Sequence, residues 1–540
     1  MKRTLPFAAP AVALVLAAAP ARPQQTTAPA QSAPAPAPAP AWASSDPVLQ
    51  RIWDEGMNRS QTQPLAQSLM DSIGPRLTGS PNIQAAYQWA LARYAGWGIT
   101  ARTQQYGTWR GWARGYTHVD LVSPRVRTLE GTMLAWSPGT NGPVTGPVVI
   151  LPDLADSAAF RAWLPTARGK HVLTSFPQPS CRADENYARF ALPESFERMK
   201  AERNAGTQAW AARIQKTGYD ARTLPRALED AGALGVVANL WSQGWGVDKI
   251  FNARTLRVPT IDLSCEDYGL VYRLAQNGQG PQLRLDAQAQ FPGDLPASNV
   301  IAEMRGVRTP GEYVMLSAHF DSWDAGSGAT DNGTGTVVMM EAMRILHAAY
   351  PRPRRTILAG HWTGEEQGLN GSRAFVEDNP QIVQGLQALF NQDNGTGRIA
   401  NFSYQGFTGV APIIRGWFAK LPPVLVDSIH VADPGTPSGG GSDNASFVCA
   451  GAPAFGLGSL SWDYGTYTWH TNRDTYDKVV FDEVRRNATL TAMLVYLAAE
   501  DPRRLPRERI TTFPVDQRTG QPGSWPQCQS PARNTGQSTR

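Results

Sequence analysis

At 540 residues, with 42% apolar residues and 17 Trp, the chain has room for a large packed core and two or three domains, which excludes a disordered tail. Its formal charge of +5 sits at the ends: Lys2 and Arg3 open the chain, and residues 501–540 hold seven Arg against three acids. The body between them is close to neutral, so an electrostatic nucleic-acid footprint is not expected. The four cysteines, Cys181, Cys265, Cys449 and Cys528, are far apart and form no CxxC, which excludes a zinc knuckle. Disulfides in three alternative pairings and buried free thiols are equally compatible with that spacing.

The N-terminus reads as a secretory signal: Lys2 and Arg3, the apolar run Leu14-Val15-Leu16 among alanines, then Ala19-Pro20-Ala21, with cleavage expected after Ala21. Pro10 and Pro20 interrupt and end the apolar stretch, which is too short for a stable membrane insertion, and no later span is long and apolar enough. Secretion or a periplasmic location follows. Residues 22–45, rich in Ala and Pro, suit an extended linker.

Residues 46–117 begin with helical spacing at Leu49, Ile52 and Trp53 and again from Ala85 to Tyr94, separated by the loop Gly74-Pro75-Arg76-Leu77-Thr78-Gly79-Ser80-Pro81. Across 118–294 the texture turns to short β-type runs such as Val148 to Leu151 and Gly235 to Ala238, with helical stretches around 190–233, and reads as a separate module. Strands and helices then alternate over 295–500: strands Asn299 to Glu303, Tyr313 to Ala318, Arg355 to Trp362 and Ala388 to Gln392, helices over 333–348 and near Ser372 to Val376, and a last helix over 482–500. That alternation predicts an α/β fold with a mainly parallel sheet, whose function sits at the carboxyl ends of the strands. Residues 501–540 read as a loosely ordered tail.

Polar groups fall at those strand ends. His319 and Asp321 close a buried strand and point to one side, so Asp321 can fix the imidazole tautomer of His319. Asp331 opens a helix after a glycine-rich loop. Taken alone it is a helix cap, and a carboxylate there excludes a dinucleotide-binding loop. Glu365 and Glu366 end the next strand. Adjacent acids are usually a solvated pair, but a division of labour is chemically attractive, with Glu366 binding metal and Glu365 serving as general base. Asp393 ends a further apolar strand, and His470 lies in an aromatic segment. No Gly-x-Ser-x-Gly and no His-Glu-x-x-His occurs.

The order His319, Asp331, Glu365-Glu366, Asp393, His470 is far more specific than any member. With His319-Phe320-Asp321-Ser322-Trp323-Asp324, Trp362-Thr363-Gly364-Glu365-Glu366-Gln367-Gly368, Gly440-Gly441-Ser442-Asp443 and the early Gly74 to Ser80 stretch, residues 46–500 resemble the co-catalytic di-zinc aminopeptidase family, in the branch of plasma glutamate carboxypeptidase, also called carboxypeptidase Q. The resemblance implies a three-layer zinc-exopeptidase fold with a mixed, mainly parallel sheet, and it makes 118–294 an inserted protease-associated domain. It also implies two Zn2+ per chain, with His319 and Asp393 on one, Glu366 and His470 on the other and Asp331 bridging. Asp331-Asn332 should be a cis peptide. Trp469 stands where some relatives carry an oxyanion-steadying Tyr, a role left open here to Tyr464 or Tyr467. Short peptides are the implied substrates, cut from the amino end. Carboxypeptidase or dipeptidase action, glutaminyl cyclisation with one zinc and a non-catalytic binding role are the rivals, and this branch can form homodimers.

Overall fold

The computed structural model describes residues 42, 44–515 and 520–537; the signal and most of the linker lie outside them. Sixteen strands follow in chain order: β1 (Thr100–Arg110), β2 (Ala113–Ser123), β3 (Arg127–Leu129), β4 (Gly131–Met133), β5 (Val144–Ile150), β6 (His171–Leu173), β7 (Gly235–Ala238), β8 (Thr260–Leu263), β9 (Gln282–Gln290), β10 (Asp294–Met304), β11 (Thr309–His319), β12 (Arg355–Trp362), β13 (Leu386–Asn391), β14 (Ile399–Ser403), β15 (His430–Ala432) and β16 (Ala454–Ser459).

They form two eight-stranded sheets. The first runs β1-β10-β12-β11-β13-β16-β14-β15, with β12, β11, β13 and β16 parallel at its centre and antiparallel neighbours outside them. The central strands are buried over most of their length, β11 from Val314 onward, because both faces are covered. Ile301, Met315, Leu358 and Leu389 pack with Phe375 and Phe447 on one face. The helices Thr334–Ala349 and Phe481–Glu500 cover the other and pack on each other and on Pro47–Asn58. The result is a mixed α/β sandwich.

The second sheet, β3-β2-β9-β5-β6-β7-β8-β4, is built wholly from residues 113–290. Its hydrophobic cluster is continuous with Leu77, Tyr106, Trp109 and Trp323, so the two sheets share apolar packing.

Two disulfides settle the cysteine question: Cys181 pairs with Cys265 and Cys449 with Cys528, leaving none free. The second corrects the expectation of a loose tail. Besides the disulfide, Ala532 N–H donates to Asn370 Oδ1 at 2.8 Å, Thr108 N–H donates to the Arg533 carbonyl at 2.9 Å, and the Arg533 guanidinium pairs with Glu377 and Asp378. Arginine-rich composition reads as solvated, but Arg504 and Arg507 donate to the carbonyls of Val383, Gln384 and Leu386 in the body. No helix among the described residues is long and apolar enough to cross a membrane.

His361 of β12 is wholly buried, its Nε2 sharing a 2.6 Å hydrogen bond with the Tyr94 hydroxyl, and burial pushes its pKa down from 6.5 to about 3. A depressed base binds its proton more readily in the unfolded chain. Its contribution to stability is therefore full above pH 6.5 and is lost as pH falls towards 3, by up to about 1.4 kcal/mol per pH unit. Urea unfolding of metal-free protein at about pH 7 and about pH 5.5 should show His361→Phe flattening the pH dependence by roughly one proton.

Candidate functional site

The carboxyl ends of the parallel strands converge on a cavity of about 550 Å³. Its walls include Asp331, Glu365, Glu366, Asp393 and His470. His319, at the end of β11, lies wholly buried behind them.

The donor atoms fall into two groups that share one residue. His319 Nε2 lies 3.0 Å from Asp393 Oδ1 and 3.3 Å from Asp331 Oδ1. His470 Nε2 lies 3.0 Å from Glu366 Oε2 and 3.3 Å from Asp331 Oδ2. The ligand atoms within each group lie within 4.8 Å of one another. Asp331 thus presents one oxygen to each group, and Asp331-Asn332 is a cis peptide. The structure brings together all five residues singled out as metal ligands, with Glu365 in the same cavity wall.

Imidazole with carboxylate is a donor set suited to a divalent transition ion. Asp331 Oδ2 and Glu366 Oε1 are buried yet accept no hydrogen bond, as expected of oxygens meant for a cation. The local field favours positive charge: burial opposes a proton on His319, but Asp393 and Glu365 beside it hold the imidazole well above its ordinary value. Burial pushes Glu365 and Glu366 well up, against the opposing charge of His319 and with like charge from Asp393 and Asp331 adding to it. The residues present fit a bound metal pair.

One contact differs from the expectation. The His319 tautomer is set by the Asp321 main-chain carbonyl, 2.9 Å from Nδ1, while the Asp321 carboxylate stands 3.7 Å away. A carbonyl can only accept, so Nδ1 carries the proton and Nε2 faces the carboxylates. The Asp321 carboxylate instead accepts from the Thr78 hydroxyl at 3.0 Å and from the Glu365 N–H at 3.3 Å. Its work is to hold the turn that carries Glu365, because a residue closing a tight strand end can bend its main chain back onto its own neighbour.

Three further supports escaped the sequence reading. Arg76, wholly buried, donates to the carbonyls of Phe320, Gly74, Ser327 and Gly328, tying the end of β11 to the loop before Asp331, and burial lowers it to about 10. Thr78 Oγ1 accepts from Gly364 N–H at 3.0 Å. Asp474 accepts from Thr330 N–H at 2.7 Å, the Thr330 hydroxyl at 2.8 Å and Asp331 N–H at 3.0 Å. The Gly74 to Ser80 motif was visible, but nothing in it named the carbonyls that Arg76 reaches.

His470 sits at φ +58°, a left-handed conformation uncommon for a residue with a Cβ. The segment after β7 holds it there: Ile250 N–H donates to the His470 carbonyl at 2.7 Å, and Asn472 N–H donates to the Asp248 carbonyl at 3.0 Å. The rings of Phe251, Trp323 and Trp469 pack around the imidazole at centroid distances of 5.0, 5.7 and 3.9 Å. Tyr464 lines the cavity and Tyr467 lines a neighbouring one, so of the two tyrosines only Tyr464 faces the donor groups. Burial pushes its hydroxyl well up, which keeps it a proton donor.

A model of peptidase family M28 matches residues 299–495. Carboxypeptidase Q of Mus musculus is 25% identical over 440 residues, 81% of this chain and 86% of that protein. Carboxypeptidase Q of Rattus norvegicus is 26% identical over 443 residues, 81% and 85% of the two chains. Among solved structures, a peptidase M28 precursor from Shewanella amazonensis SB2B shares the fold with a TM-score of 0.64 at 21% identity, over 85% of this chain and 97% of that one. BSAP, a zinc aminopeptidase from Bacillus subtilis, gives 0.50 at 19% identity, over 83% and 97%.

Asp474→Asn replaces an acceptor of three hydrogen bonds with an amide that turns a donor towards one of them. Titration of the variant with Zn2+ against a chromophoric chelator should show affinity lower by about 10–100-fold, although no proposed ligand has changed.

Proposed function

The chain belongs to peptidase family M28 and is a zinc metallopeptidase that resembles carboxypeptidase Q, and on that footing we propose that it is an exported di-zinc exopeptidase of short peptides, acting from the amino end with Glu365 as general base. The observation that carries this reading is the division of Asp331, one oxygen to each donor group, with Glu365 beside them and outside both.

His319 and Asp393 would hold one ion, Glu366 and His470 the other, with Asp331 shared. Zinc bound there supplies Lewis acidity towards the scissile carbonyl and lowers the pKa of water towards neutrality. Glu365 takes the proton of the attacking water on its carboxylate and returns it to the departing amine. Asp321 and Thr78 keep that carboxylate in place through the Glu365 and Gly364 N–H groups. The Tyr464 hydroxyl donates to the developing oxyanion. Phe251, Trp323 and Trp469 keep bulk water from the imidazole side, which strengthens each of these interactions.

The disulfides suit an oxidising compartment, in keeping with the signal-like N-terminus. Residues 118–294 act as a protease-associated domain that walls the active site, since their segment around Ile250 holds the His470 loop.

Glu365→Gln removes a proton carrier and no ligand, so metal content should stay near two ions per chain while turnover falls by about 10²–10⁴-fold; near-normal turnover would sink the mechanism. In Asp331→Ala, metal analysis should instead show loss of bound zinc, and two tightly held ions would refute the bridge.

Carboxypeptidase action is the second reading, favoured by the similarity to carboxypeptidase Q over four-fifths of the chain. Matched tripeptides blocked at one end separate the two. An aminopeptidase should still cut the C-amidated peptide and fail on the N-acetylated one, and the opposite pattern would reassign the polarity.

A further inference from the structure

Beyond the donor groups, the cavity wall carries two cations, Arg222 and Arg254, neither with an ion-pair partner among the described residues. Both also line an adjoining groove of about 810 Å³, whose walls hold Arg161, Arg168 and Arg226. The catalytic cavity and a basic groove therefore adjoin, with the two arginines lining both.

The acids nearby are already engaged. Glu229 is buried, accepts from the N–H groups of Leu256, Arg257 and Val258, and pairs with Arg226. Asp230 pairs with Arg257. Asp220 accepts from the Thr223 hydroxyl and from the N–H groups of Arg222 and Thr223. Among the described residues, Arg161, Arg168, Arg222 and Arg254 form no ion pair with a carboxylate. Arg254 is half-buried and held below its ordinary value by that burial and by Arg222 beside it. The exposed Asp220 offsets only part of this; two guanidinium groups kept close repel, and a carboxylate placed between them relieves the repulsion and accepts charge-assisted hydrogen bonds.

Their position is not accidental to the fold. Arg254 follows the segment whose Ile250 holds the His470 main chain and whose Phe251 packs on the His470 ring. Arg254 thus lines the cavity four residues from the hydrogen bond that holds the His470 main chain.

We propose that Arg222 and Arg254, with Arg161 and Arg168 beyond them, form a subsite for acidic residues of the substrate, so that the enzyme selects peptides whose part projecting from the catalytic cavity carries Asp or Glu. The proposal rests on the peptidase reading for its catalytic consequence, but not for the binding itself. The groove is large enough for more than one residue.

Binding is read on metal-loaded Glu365→Gln protein, so that the peptide is not consumed, by fluorescence anisotropy of N-fluoresceinyl tetraglutamate and tetraglutamine. Tetraglutamate should bind at least about tenfold tighter, and the advantage should vanish in about 0.5 M NaCl and on adding Arg222→Gln and Arg254→Gln, at unchanged melting temperature. With the metal-loaded wild-type protein, the ratio of kcat/KM for Leu-Gly-Glu-Glu over Leu-Gly-Gln-Gln should exceed about five, through KM, and fall towards one in the double arginine variant. Equal binding of the two peptides overturns the proposal, as does an advantage that survives the arginine substitutions. A groove that retains inorganic polyphosphate while showing no preference for tetraglutamate also overturns it. If the binding preference stands but neither peptide is hydrolysed, the subsite stands and the peptidase reading falls.

Discussion

Negative charge confined in a dry place is the constraint from which the rest of this molecule follows. Asp331, Glu365, Glu366 and Asp393 face one cavity, with Asp321 and Asp474 buried directly behind them. Arg76 is the wholly buried cation nearby, and its donors are used on main-chain carbonyls rather than on these acids. Carboxylates so placed repel one another strongly at low dielectric and favour positive charge among them. The scaffold must also hold the acids apart before any ion arrives. It does so with neutral donors: the Thr78 hydroxyl and Glu365 N–H on Asp321, and Thr330 and Asp331 N–H on Asp474.

Rigidity of this kind comes from distant parts of the chain. The Gly74 to Ser80 loop contributes Arg76 and Thr78, which bind the end of β11 and the turn after β12. The second sheet contributes the strip around Ile250 that fixes the left-handed His470. Shared apolar packing through Leu77, Trp109 and Trp323 lets each part lean on the other. Donor groups held from remote segments move little when one side chain fluctuates, and such preorganisation is what a metal centre requires.

The same arrangement joins the cavity entrance to the donor groups. One stretch, from Ile250 to Arg254, supplies the hydrogen bond to His470, the aromatic wall against its ring and a guanidinium at the cavity mouth. Residues that shape the entrance are therefore covalent neighbours of residues that set the donor geometry.

The amino-acid sequence by itself determined the alternating elements over 299–392, the last helix and the placing of His319, Glu365, Glu366 and Asp393 at strand ends, because apolar runs and polar terminators are local properties that periodicity reports; β14, β15 and β16, short and without such runs, were not legible in it. The tertiary structure alone decided which atoms of those residues meet. Asp321 turns its main chain to His319 and its carboxylate to Thr78, Tyr464 rather than Tyr467 faces the cavity, Cys449 finds Cys528, and the C-terminal segment lies strapped to the body. Each of these is a contact between residues whose neighbours in sequence carry no trace of the partner, since what selects them is the packing of sheets and loops around a shared core.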